Sequence, residues 1–180
     1  MRKVFLVLFL LGIVHIGGAQ EQRKIAWADI DLLSWQNFEA APDYKIDFSA
    51  NTNSGISYSW NYSTSTGKPE LTHEVKSNFY PDLSWVKDVK NPEYLLAHEQ
   101  LHFDITELHA RKLRKRLAEY EPGRRIRQDL KRLYNITETE RVAMQNRFDK
   151  ETSHSENKEA ELRWRKFVAS KLADYEDYAL

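Results

Sequence analysis

Pro92-Glu93-Tyr94-Leu95-Leu96-Ala97-His98-Glu99-Gln100-Leu101-His102-Phe103-Asp104-Ile105 is the stretch where the chain changes character. Apolar residues recur there at helical spacing. Asn91 is a good N-cap, Pro92 suits the first helical position, and Glu93 favours the positive end of the helix. The pattern predicts a helix over about 92–120, stopped by Pro122-Gly123. A second helix is expected over roughly 125–144. A third is expected over about 155–174, continuous with the second or broken near His154. The basic run Arg111, Lys112, Arg114, Lys115 and Arg116 lies in the last turns of the first helix, where it suits the helix dipole and reads as a solvated face.

Upstream of residue 90 the chain is rich in Ser, Thr, Asn, Tyr and Trp. Gly55-Ile56-Ser57-Tyr58-Ser59-Trp60-Asn61-Tyr62 alternates with period two, as a half-buried strand does. Lys45-Ile46-Asp47-Phe48 and Val75-Lys76-Ser77-Asn78-Phe79 are shorter strand candidates. Pro42-Asp43 and Thr66-Gly67-Lys68-Pro69 supply turns. The expected fold is α+β, a single domain over 20–180. Residues 20–90 form a small antiparallel sheet, and 91–180 a helical half built around the helix that carries His98. Trp35, Tyr58, Trp60 and Trp85 are expected to build core rather than a binding face.

At 180 residues with 41% hydrophobic positions, the chain is long enough for one proper core. Its 27 basic and 27 acidic residues cancel, which argues against a nucleic-acid binder. The lack of cysteine excludes disulfide scaffolds, thiolate zinc fingers and thiol nucleophiles. Residues 1–19 read as a cleaved signal peptide: Arg2 and Lys3 precede an apolar run from Val4 to Ile16, followed by Gly17, Gly18 and Ala19. That run is shorter than the roughly 20 residues of a bilayer span. Its removal takes Arg2 and Lys3 and leaves 25 basic against 27 acidic residues. A periplasmic or secreted protein without lasting membrane insertion is expected.

His98-Glu99-Gln100-Leu101-His102 is an H-E-x-x-H pattern inside a predicted helix, the context that gives the pattern meaning. Imidazoles four residues apart lie about 40° and one turn apart on a helix. They can converge on one zinc ion. Glu99 projects from the edge of the same face, where it can accept a proton from a metal-activated water. Leu95, Ile105 and Leu113 lie near the same direction, while Leu96, Phe103 and Leu108 cover other sides, so the helix should be buried. A third protein ligand is needed. His109 falls about 10 Å beyond His102 along the axis. Glu138, Glu140, Glu151 and His154 are the other candidates.

The stretch from Leu95 to Ile105, followed by Glu107-Leu108-His109-Ala110-Arg111-Lys112-Leu113, resembles the bacterial domain-of-unknown-function 922 family. So do Leu33-Ser34-Trp35-Gln36-Asn37-Phe38 (the family's early Trp-x-x-Phe strand), Ala50-Asn51-Thr52-Asn53-Ser54-Gly55-Ile56, Ser84-Trp85-Val86, and Asp149-x-x-Thr152-x-His154 followed by Trp164. The resemblance spans about 30–165. It implies a zincin-like secreted zinc protease and raises His154 as third ligand beside His98 and His102. Glu99 is then the catalytic base, with Asp149 and Thr152 as supporting groups. Phe148, Ser155 and Glu161 stand where the family has Tyr, Gly and Gln.

The expected function is zinc-dependent hydrolysis of a peptide or other amide, with one zinc ion and no nucleic-acid partner. His109, Tyr134 or an arginine of the second helix would polarise the carbonyl. The alternative is a non-catalytic zinc protein with a closed site.

Overall fold

A computed structural model describes residues 22–65, 67, 69–88 and 92–180. The expected signal peptide and the Asn91 cap lie outside the described residues.

The alternating stretch around Ile56 becomes a ten-residue strand, and its partner is longer than expected. Three further strands complete the β half among the described residues. In chain order the strands are β1 (Ile25–Ala26), β2 (Ala50–Asn51), β3 (Ser54–Ser63), β4 (Glu70–Phe79) and β5 (Trp85–Val86). β3 and β4 form an antiparallel hairpin in register from Ser54↔Phe79 to Ser63↔Glu70, and β1 pairs with the other edge of β4. Gly67, at φ 79°, supplies the left-handed residue in the connecting turn. β2 and β5 make a separate antiparallel pair. Two expected strands are replaced. Residues 45–48 form turns and bends, begun by the Asp43 carboxylate accepting from Lys45 N–H at 2.9 Å. Trp35–Asn37 is a 3-10 turn, and the Asn37 side chain accepts from the N–H of Ser34 just before it.

The helices are α1 (Pro92–Ala118), α2 (Ile126–Thr152) and α3 (Lys158–Asp174). α2 runs about two turns past its expected end. Its stop is at Ser153, His154 and Ser155, three consecutive non-glycine residues with φ of 50°, 51° and 75°. Asn157 then caps α3 by accepting from Ala160 N–H. No described helix is long and apolar enough to cross a membrane.

α1 is the axis of the molecule. Ala110, Leu113 and Leu117 pack with Ile56 and Val75 of the hairpin and Leu130 of α2. Leu101 and Ile105 pack with Phe148, Trp164 and Val168 of α2 and α3. Phe103 packs with Leu33, Phe38 and Phe79 on a third side. The fold is α+β, a small antiparallel sheet followed by helices, with α1 enclosed by both. Trp85 joins the core, and Trp35, Tyr58 and Trp60 are half-buried against it.

The basic run on α1 departs from the solvated face expected for it. Arg111 and Arg114 are buried, and both pair with buried Glu107, at 3.0 and 2.9 Å. Arg114 also donates to Val75 O of β4 and Tyr178 O, while Arg111 donates to Leu172 O and Glu176. Each guanidinium divides its fork of donors between carboxylate and main-chain oxygens. The network ties sheet, central helix and C-terminal segment together.

Candidate metal centre

His98 and His102 project from one face of α1, with ring centroids 5.1 Å apart. Phe148 of α2 lies beneath both, 4.4 Å from His98 and 5.0 Å from His102. Phe148 is thus a wholly buried apolar support for the two rings. One residue on, Asp149 faces them. Its Oδ1 lies 2.9 Å from His102 Nε2 and 3.4 Å from His98 Nε2. These three ligand atoms all lie within 4.8 Å of one another, so His98, His102 and Asp149 form a group that could hold a metal ion.

The other nitrogen of His98 is also engaged. Nδ1 lies 2.9 Å from Oε2 of Glu161 on α3, a carboxylate 1% exposed to solvent. A carboxylate behind a ligand imidazole sets its tautomer and ring orientation and raises its basicity. Burial disfavours a charged His98, but the bonds to Asp149 and Glu161 outweigh it and push the imidazole up to about 9. Burial would likewise raise Asp149, yet the bonds from His102 and His98 hold it well below the usual carboxylate range. Both shifts have one cause: positive charge is favoured between these rings and carboxylates. A divalent cation would meet the same condition.

Glu99 is 3% exposed, and its Oε2 has no hydrogen-bond partner among the described residues. A carboxylate oxygen buried without a donor is costly. It lines the same cleft as His98, His102 and Asp149, a space of about 860 Å³ closed on one side by residues 47–52. Thr52 fastens that segment to α1 by donating its hydroxyl to Glu99 O at 3.2 Å. Two nitrogens, one carboxylate and an unsatisfied carboxylate in an open cleft fit a metal that keeps a position for water.

The remaining predicted residues are placed elsewhere. His154 is on the cleft wall with a half-exposed side chain. Its Nδ1 is 3.8 Å from Asp149 Oδ1, and it is outside the converging group. The structure therefore seats Asp149, read from sequence as a supporting residue, where His154 was expected. His109 is buried in another part of α1, its Nδ1 donating to Ile105 O at 2.8 Å. Glu138 pairs with Arg141, Glu140 with Arg116, and Glu151 with Arg147 and the Trp164 indole. Tyr134 donates its hydroxyl to Ile56 O. Asp104 accepts from Trp27 and Gln100 rather than from a histidine. Thr152 returns its hydroxyl to Phe148 O and closes the last turn of α2.

Residues 83–155 match the model of a family described as a bacterial protein of unknown function, DUF922. Over this segment the chain is similar to the DUF922 family. The DUF922 segment contains β5, α1, α2 and the left-handed break, hence His98, Glu99, His102, Asp149 and His154. Glu161 lies beyond it. No curated protein and no solved structure matches the chain.

From sequence, Glu161 stands out only as a departure from the family pattern, and Asp149 only as a supporting group. The signal for Glu161 was present: Ala160, Trp164 and Val168 form the buried stripe of α3, and an acid stands within it. Asp149 likewise continues the α2 face that carries Met144, Gln145 and Phe148.

Proposed function

We propose that this chain is an exported, metal-dependent amide hydrolase of zincin type, with zinc held by His98, His102 and Asp149. The observation that carries the reading is the buried, unpartnered Glu99 carboxylate beside that group. A helix built only to be stable would gain by replacing this side chain with an apolar one.

Zinc bound there would acidify a water and polarise the substrate carbonyl. Glu99 takes a proton from water as its oxygen adds to the carbonyl carbon. It then delivers that proton to the amide nitrogen as the C–N bond breaks, so one water is consumed and an acid and an amine leave. Glu161 holds the His98 ring by its far nitrogen, and Phe148 keeps bulk water from beneath both rings.

An extended peptide suits the cleft. Among the described residues β2 has a partner on one side only, and Lys87 N–H donates to Ser49 O at 2.8 Å. In an antiparallel pair, hydrogen-bonded and non-bonded positions alternate. Ala50, opposite Val86, therefore turns its N–H and C=O away from β5, on the edge that lines the cleft. A substrate strand would find those groups there.

Glu99→Gln tests the reading. The protein should hydrolyse members of a quenched-fluorescence peptide pool, and the variant should bind zinc equally while losing at least about 100-fold in rate. Equal, negligible hydrolysis by both proteins with zinc bound would favour the non-catalytic reading.

A further inference from the structure

The cleft contains a histidine that the ligand group does not use. His154 lines it. Neither of its ring nitrogens has a hydrogen-bond partner among the described residues, since Nδ1 stops 3.8 Å short of Asp149. The ring is nonetheless held in place. It stacks on Phe48 at 5.4 Å and 15°, and Phe48 stacks on Trp85 at 5.9 Å and 8°.

The backbone that presents it is strained. Ser153, His154 and Ser155 all have positive φ, a region that residues with a side chain rarely adopt. His154 N–H to Asp149 O at 3.0 Å and Asn157 N–H to Thr152 O at 2.8 Å hold the turn. The same helix end thus delivers Asp149 to the ligand group and leaves His154 on the cleft lining beside it.

We infer that His154 is the hydrogen-bond donor to the substrate's carbonyl oxygen, not a resident metal ligand. This rests on the hydrolase reading above. Negative charge gathers on that oxygen during attack, and a preorganised donor there is worth much of the rate. Two other donors that line the cleft are engaged or buried. Gln145 donates to His102 O and Thr106, and the Tyr94 hydroxyl is fully buried, with the Arg165 guanidinium over its ring.

Acetohydroxamate, whose anionic oxygen mimics the charged carbonyl oxygen, is the probe. Its affinity for the zinc-loaded protein is measured by calorimetry in the wild type and in His154→Ala and His154→Gln, alongside zinc affinity by competition with a chelator. The expected result is about tenfold weaker hydroxamate binding in His154→Ala, partial recovery in His154→Gln, and zinc affinity within threefold of wild type in both. Loss of zinc in His154→Ala would overturn the inference by making the imidazole a ligand. Hydroxamate affinity that ignores both substitutions would overturn it while leaving the hydrolase reading intact. Wild-type protein that takes up no zinc overturns both.

Discussion

Glu161 Oε2 lies 2.9 Å from Nδ1 of His98, a contact between residues 63 positions apart, and the carboxylate is buried under the last helix. The pair joins α3, which lies outside the DUF922 segment, to the candidate metal group on α1. Removing a partner of this kind from a ligand histidine costs 10–100-fold in metal affinity in general.

Glu161→Ala should therefore weaken zinc binding by about 10–100-fold, measured by competition with a chromophoric chelator. Glu161→Gln should cost less, since an amide oxygen still accepts from Nδ1 but brings no charge. Equal zinc affinity in all three proteins would show that the contact is only structural.

Glu107 is the sole carboxylate shared by buried Arg111 and Arg114 among the described residues. Breaking a buried pair by deleting one partner leaves uncompensated charge and costs about 3–5 kcal/mol. Glu107→Ala should lose about that much in urea unfolding, and zinc affinity should change little because the network lies away from the metal group. A loss below about 1 kcal/mol would mean that the arginines are satisfied by their carbonyl partners alone.

His109 makes folding sensitive to acid. Burial first, together with the neighbouring Lys112, lowers its imidazole to about 4, against an ordinary value of 6.5. The unfolded chain binds a proton there as pH falls through about 6.5, whereas the folded chain resists until about 4. The contribution is complete above about 6.5 and is lost on acidification towards 4. Between pH 7 and pH 5 the wild type should lose about 2 kcal/mol that His109→Gln does not. Urea midpoints at the two values measure the difference, and parallel losses in both proteins would contradict it.

What could be read from sequence follows the range of the interactions involved. His98 and His102 are one helical turn apart, so their convergence is local, and α1 was legible from its apolar pattern and Pro92. The β3–β4 hairpin was legible from period-two alternation for the same reason. Asp149 reaches the histidines only because Phe148 packs against their rings, which is a tertiary fact. The family resemblance suggested a supporting role for it and raised His154 as the ligand. The left-handed break leaves that ring outside the converging group, and nothing in Ser153-His154-Ser155 announces positive φ in residues that carry side chains. Arg111 and Arg114 misled for a related reason: a basic last turn is ordinarily solvated, and only the packing of β4 and the C-terminal segment buries this one.

The most direct test of the account is an anomalous difference map at the zinc edge, from crystals of the signal-free chain grown with stoichiometric zinc. The account predicts a single strong peak bonded to His98 Nε2, His102 Nε2 and an Asp149 oxygen, with a non-protein oxygen in the fourth position and His154 unbound. A peak ligated by His154 in place of Asp149, or no peak between the two histidines, would contradict it.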